Sequence, residues 1–303
     1  MSRSRALADP VVEWTQTHLA PVMCAPLGLV GSRVSRSPID PRIYQIGALS
    51  ALLVYGIGVL DLDVRGEKVL AILGTALITQ YVCGRLAGLP SYDPRSPLIS
   101  ALSLSLLLRT SSITLAASGA ALAILSKFVL RKGRKHLYNP TNFGIVALLA
   151  LTGKAWVSPG QWGSATFFAF LIVCLGGLVV NRAVRSDVTL AFLLFWGGIV
   201  VSRSWHLGEP MAIPIHRLEN GALLIFAFFM ISDPKTTPNS RLGRILFALV
   251  VAFGAAFVQF RLFRTNGLLW SLAFFSPAVP LLDRLFPGPT YDWAPQGSPR
   301  SQS

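Results

Sequence analysis

The sequence predicts an all-α polytopic membrane protein of about ten transmembrane helices, arranged as two inverted five-helix repeats with discontinuous third and eighth spans. Three observations carry this expectation. The 303 residues are 52% hydrophobic and only 13% charged, with a mean hydropathy of +0.57, far from the composition of a soluble domain. Apolar runs recur along most of the chain, separated by short basic blocks. The stretch 222–231 is wholly apolar, yet it opens on Asn220-Gly221 and closes on Ser232-Asp233-Pro234. At ~1.5 Å per residue such a helix covers about half of a ~30 Å hydrocarbon layer. Broken, half-length helices of this kind line binding sites in transporter-like folds.

In chain order, residues 1–42 are punctuated by Pro10, Pro21, Pro26, Pro38 and Pro41 and read as a cytoplasmic leader, with room for a short interfacial helix at 11–19. Arg3 and Arg5 are not followed by an apolar run of signal-peptide type. The transmembrane domain covers 43–286 and a cytoplasmic tail covers 287–303. The first span, 43–60, ends before the loop of Asp61 and Asp63; the second, 69–86, lies between Lys68 and Arg85. The third, 98–108, is too short to cross and follows Pro90, Pro94 and Pro97. The fourth, 113–130, stops at Arg131-Lys132-Gly133-Arg134-Lys135. The fifth, 142–157, opens after Asn139-Pro140, a cap followed by a proline suited to a first turn. The sixth and seventh, 165–180 and 188–201, are separated by Arg182 and Arg185. The eighth, 221–232, follows the proline-broken 209–219, and the ninth and tenth occupy 245–260 and 267–282. Both short spans are thus third in a set of five, and each is expected to enter as extended backbone. Five spans per set force the sets to run in opposite directions.

The net charge of +14 would suggest nucleic acid in a soluble chain, but here the cations sit between apolar runs and orient them. Placing the cluster at 131–135 inside puts most of the 27 basic residues on the cytoplasmic side, as expected for short loops. Both termini are then cytoplasmic, in the cytoplasmic membrane. No nucleic-acid-binding signature is present. Cys24, Cys83 and Cys174 are far apart, and His18, His136, His206 and His216 have no metal-ligand spacing, so no metal site is expected. No Ser-His-Asp, paired-carboxylate, Walker or Rossmann arrangement occurs.

The candidate site is the place where the two half-helices converge. Helix amino termini offer unpaired N–H groups and partial positive charge, and Ser96, Ser100, Ser103, Asn220 and Gly221 lie at or near those ends. Asp93 and Glu219 precede the two helices and would serve a cation, although Arg95 and Arg217 beside them offer ordinary ion pairing. Asp233 closes the eighth span and completes the proposed ion pathway. It is placed to pair with Lys235 or Arg241, or to accept from loop amides.

Several segments carry a family resemblance. His136-Leu137-Tyr138-Asn139-Pro140-Thr141-Asn142-Phe143-Gly144 is similar to the H-x-x-N-P-x-x-x-G stretch of the RnfD/NqrB membrane subunits. Ser96-Pro97-Leu98-Ile99-Ser100-Ala101-Leu102-Ser103-Leu104 resembles their third, half-length helix. Phe228-Phe229-Met230-Ile231-Ser232-Asp233-Pro234, with Gly243-Arg244 behind it, resembles F-F-I-x-T-D-P…G-R, and Pro280-Leu281-Leu282-Asp283 resembles the closing P-L-I-D. The resemblance implies a ten-helix subunit of ion-pumping NADH:quinone or ferredoxin:NAD oxidoreductases, partnered by other membrane redox subunits. It also implies a flavin, FMN or riboflavin. The family esterifies FMN to a threonine in a D-x-x-S/T-x-A-T loop. Thr166 is the matching residue here, but Gly160 stands for the acidic position and Gly163 for the hydroxyl position. Ser164-Ala165-Thr166 also reads as the ordinary start of the sixth helix. The chain looks like the shorter, standalone RnfD-like proteins, including those found with enediyne biosynthesis clusters. Two functions follow as alternatives: a redox subunit coupled to ion movement, or a transporter or channel for a small solute or ion on the same scaffold. A scaffold for partner subunits is a third.

Overall fold

A computed structural model describes residues 40–59, 64–133, 135–158 and 166–291, with the side chains of 166–171 excepted. The chain divides into Met1–Arg36 and Ser37–Ser303. The first unit, with its expected leader and interfacial helix, lies outside the described residues, as do Asp61, Asp63 and most of the expected tail.

The second unit is mostly helical. Its helices are α1 (Pro41–Gly58), α2 (Gly66–Leu86), α3 (Arg95–Leu107), α4 (Ile113–Val129), α5 (Pro140–Thr152), α6 (Thr166–Arg182), α7 (Ser186–His206), α8 (Ala212–Leu218), α9 (Gly221–Ile225), α10 (Arg241–Phe260), α11 (Gly267–Phe275) and α12 (Val279–Leu285). Caps fix several starts. Asp40, Ser112, Asn139, Asn220 and Ser240 each accept a backbone N–H of the following turn, which satisfies donors that a helix start leaves open.

Among the described residues, Gly66–Leu86, Ser186–Leu207, Arg241–Phe260 and Gly267–Leu285 are long and apolar enough to cross a membrane. The pair formed by α8 and the helical segment Gly221–Met230, which begins with α9, is bent by 47° and forms a broken span or a re-entrant loop. Large apolar side chains such as Val54, Leu194 and Phe274 are more than 70% exposed. That exposure suits a lipid-facing surface and would be costly in water.

Packing runs in the same order in both halves. In the first, α1 packs on α3, α2 on α4, and α4 on α5; in the second, α6 packs on α9, α7 on α10, and α10 on α11. Small residues permit the α4–α5 and α10–α11 crossings. A Cβ on Gly144 would lie 2.6 Å from the Gly119 carbonyl, and one on Gly267 would lie 2.7 Å from the Ala255 carbonyl. Such close backbone approach is typical of helix pairs in lipid.

Three local expectations need correction. The fifth helix does not run to 157. It ends at Thr152, where Gly153 adopts φ 57°, the left-handed stop that glycine accepts without strain. Beyond it, β4 (Ala155–Val157) pairs antiparallel with β1 (Leu108–Thr110), the continuation of α3. The segment before the eighth span is not extended throughout. It holds α8, whose Pro214 sits in the first turn and so deletes no intrahelical hydrogen bond. The apolar run after Asn220 is also not uniform α-helix: Phe226–Met230 forms a π-helical turn. Finally, β2 (Arg131–Lys132) and β3 (Lys135–His136) form a small hairpin in the basic cluster.

Candidate functional site

The carbonyls of the π turn are met by polar side chains, two from other elements and one from the same segment. Thr189 Oγ1 of α7 donates to the Ala227 carbonyl at 2.8 Å, Ser232 Oγ to Phe228 at 2.5 Å, and Asn139 Nδ2 to Met230 at 3.3 Å. A π turn widens a helix and commonly marks a functional position. Here it sets Phe229 and Asp233 against one wall of a polar cavity of ≈ 270 Å³.

The opposite wall is the amino-terminal half of α3, with Ser96, Ser100 and Ser103 lining the same space. Between them stands Lys127 of α4, only 5% exposed. Its Nζ donates to Gln80 Oε1 at 3.0 Å and to Ser96 Oγ at 2.8 Å. Both partners are neutral, and among the described residues no carboxylate is in contact with this buried amine, an arrangement tolerated mainly where it serves a pathway or a ligand. Asn139 caps α5 through the Asn142 amide at 3.1 Å, and its Nδ2 also reaches Asp233 Oδ2 at 3.4 Å. The Lys235 amide donates to Asp233 Oδ1 at 2.9 Å. His136 lines the cavity too, and its Nδ1 is buried with no hydrogen-bond partner. Burial, together with the Lys127 and Lys235 charges, pushes the His136 imidazole down to about 4, so it is neutral near pH 7.

Arg42 and Asp93 occupy the mouth of the cavity. Arg42 bonds Asp40 and Asp93 at 2.7 Å each, while Arg95 bonds Asp40 at 2.7 Å and Asp93 at 2.8 Å. This four-residue ring ties the start of α1 to the start of α3. Burial alone would raise the Asp93 carboxyl, but the Arg95 hydrogen bonds and the Arg42 and Arg95 charges outweigh it and hold the group at about 2. Asp93 is therefore a paired carboxylate at the rim.

The sequence candidates are only partly brought together. Ser96, Ser100, Ser103, Asp93 and Asp233 share the cavity. Asn220 and Gly221 do not line it: Asn220 Oδ1 accepts from the Ala222 amide at 2.8 Å and Gly221 opens α9, at the far end of the eighth element. The cavity thus joins the start of α3 to the end of the eighth element, where convergence of two helix starts was expected. Glu219 is exposed at the end of α8, and Arg217 approaches Glu209 at 3.7 Å. Thr166 opens α6; its side chain and residues 159–165 lie outside the described residues.

Sequence reasoning missed Lys127, Gln80, Asn139 and His136 as wall residues. Lys127 reads as a cation at a helix end, where long side chains ordinarily reach for water. Its partners are 47 and 31 residues distant, so no local spacing reveals them.

Two further motif residues are structural ties. Asp283 accepts from Lys135 Nζ and from the Asn239 amide, both at 2.7 Å. Arg244 forms a paired contact with Asp187. At the other end of α3, a second polar cavity of ≈ 440 Å³ is lined by Ser105, Arg109, Lys68 and Trp156 among others.

The sequence model of the NQR2, RnfD, RnfE family matches residues 148–291. The D component of the ion-translocating oxidoreductase complex of Stutzerimonas stutzeri is 27% identical over 172 residues, 54% of this chain and 48% of that protein. The component of the same name from Psychromonas ingrahamii is 29% identical over 127 residues, 40% of this chain and 34% of its own. That from Yersinia pseudotuberculosis serotype O:1b is 26% identical over 136 residues, covering 44% and 36%. The alignments span about half or less of the length of these relatives.

Proposed function

We propose that this chain, matched by the family model over residues 148–291, is an RnfD/NqrB family member and a membrane subunit in electron transport coupled to ion translocation. Relatives named as subunits of an ion-translocating oxidoreductase complex support this, as does the clustering of four resemblance-bearing segments around one end of the helical unit. The proposed architecture is ten spans in two inverted sets of five, in the cytoplasmic membrane, with both termini cytoplasmic and other redox subunits alongside. The repeated packing order of the two halves supports the duplication.

The observation that carries the reading is the polar cavity around Lys127. Its residues suit a flavin ring held without a covalent bond. An isoalloxazine presents carbonyl oxygens and a ring N–H along one edge. Lys127 has one N–H beyond those given to Gln80 and Ser96 to donate to the former, and Asp233 supplies an acceptor for the latter. Phe128 and Phe229 line the same space and offer apolar ring contacts, and the orphaned His136 Nδ1 leaves a polar atom free for a ligand. The volume of ≈ 270 Å³ lies at the lower edge of small-molecule sites, enough for the ring with its side chain outside. A flavin supplies one- and two-electron transfer when bound. The protein's part is to orient its polar edge, exclude bulk water and place fixed charge beside it. Thr166 would be the attachment residue of a covalent form, but the glycines at 160 and 163 favour the non-covalent one.

A second reading is kept because polar cavities flank both ends of α3. Ser103 lines one and Ser105 the other, two residues apart on a half-length helix. A small cation or solute crossing there would need no flavin, and Asp93 and Asp233 would attract it. The visible flavin spectrum of protein purified from native membranes, measured beside flux in liposomes, separates the two. Bound, reducible flavin supports the redox reading. Flavin-free protein that conducts supports the other and defeats the first.

A further inference from the structure

α10 and α11 cross tightly at Gly254, where an added Cβ would come within 2.5 Å of Phe275 and Ser271. Beside this crossing lies an elongated crevice of ≈ 1050 Å³, the largest of the described cavities and separate from both polar ones. Val250, Phe253, Phe257 and Phe274 wall it, and three of them present much of their surface to the outside, at 59%, 57% and 78% for the phenylalanines. From Leu249 to Val258 the lining residues of α10 cover nine helical steps, about 14 Å at ~1.5 Å per residue. That is close to one leaflet, half of a ~30 Å hydrocarbon layer. Polarity is confined to one end, where the turn between the helices brings Arg264, Thr265 and Asn266 to the rim. Arg264 is exposed, and among the described residues no carboxylate pairs with it.

We propose that this crevice is a site for an anionic glycerophospholipid, with an acyl chain along the phenylalanines and the phosphate at Arg264. The lining selects a ligand that is apolar over one leaflet and negatively charged at a single end. A water-soluble anion would have to desolvate against the aromatic walls, and a neutral hydrocarbon would leave the rim cation unmatched. The charge complementarity at Arg264, confined to the loop end of an otherwise apolar crevice, decides for the lipid over a helix from another chain. The site is built by α10 and α11 and stands whether or not the cavity around Lys127 holds a flavin.

The test is native mass spectrometry of the delipidated full chain titrated with phosphatidylglycerol or phosphatidylcholine of identical acyl composition. One saturating phosphatidylglycerol adduct per chain is expected, formed at lower concentration than the phosphatidylcholine adduct by about fivefold, the scale of one cation near an anionic headgroup. Arg264→Gln is expected to abolish that preference while keeping chain binding. Val250→Phe, which fills the crevice, is expected to remove the adduct with either lipid, whereas Val54→Phe on an exposed face of α1 leaves it intact. Equal binding of both lipids by the wild type, or adducts insensitive to Arg264→Gln and Val250→Phe, overturns the proposal. A photo-crosslinker at Phe257 in native membranes provides a readout independent of variant folding. Attachment to phospholipid supports the site, and attachment to a second copy or another protein overturns it.

Discussion

Replacing Asp187 with asparagine isolates what the Gly243-Arg244 segment does. Arg244 Nε lies 3.0 and 2.9 Å from the two Asp187 oxygens, with side chains only 10% and 15% exposed, and its Nη1 donates to the Asn239 carbonyl at 2.6 Å. The pair joins the start of α7 to the start of α10. Removing one partner of a buried pair costs about 3–5 kcal/mol because the other charge is left without compensation. Residual exposure and the Asn239 carbonyl soften this, so roughly 2–3 kcal/mol is expected here. At about 2–4 °C per kcal/mol for a chain of this size, the midpoint should fall by about 5–10 °C. The Asp187→Leu, Arg244→Met double variant removes both charges and should recover most of the loss. The assay is the folded fraction surviving heating in one detergent, read by size-exclusion chromatography. An unchanged midpoint for Asp187→Asn, or a double variant as unstable as the single, would refute the assignment of Arg244 as a structural tie.

Other outcomes follow from the same geometry. Gly144→Ala and Gly267→Ala place a methyl 2.6 and 2.7 Å from facing carbonyls, and each should cost about 1–3 kcal/mol through forced separation of the helix pair; equal midpoints would contradict the tight crossings. His136, held at about 4 against 6.5 in the unfolded chain, remains neutral while the unfolded chain takes a proton. Stability is therefore full above about pH 6.5 and declines as the pH falls toward 4. His136→Gln should flatten that decline, and an identical profile would exclude His136 as its source. Reporter fusions after Lys235 and after Arg264 should report opposite sides of the membrane, cytoplasmic for the first; the same side for both would break the inverted arrangement.

Much of the fold was legible because burial in lipid is written in apolar run length. The helices begin and end near the expected positions, and Asn139-Pro140 reads directly as a cap followed by a first-turn proline, as the structure has it. The broken eighth segment was legible from its short apolar run and polar ends. Its π turn was not, because the partners of the loosened carbonyls, Thr189 and Asn139, come from 38 and 91 residues away. Hydropathy also says nothing about which end of a half-helix meets which. Asn220 looked like a site residue because a cap and a ligand-binding terminus share the same residue type, and in the fold it serves as the cap. Lys127 carries the reverse lesson. Its charge suggested orientation at a membrane edge, while the neutral partners that keep it buried lie on α2 and α3.

Occupancy of the Lys127 cavity by a flavin ring is the central claim. Titrating riboflavin into flavin-depleted protein and following the visible absorbance shift tests it directly, with Lys127→Met as the comparison. A hydrogen bond from a charged donor contributes about 1.5–3 kcal/mol, so the variant should bind roughly 10–150-fold more weakly while eluting as the same folded species. Saturable binding that Lys127→Met leaves unchanged, or no binding by the wild type, would contradict the claim.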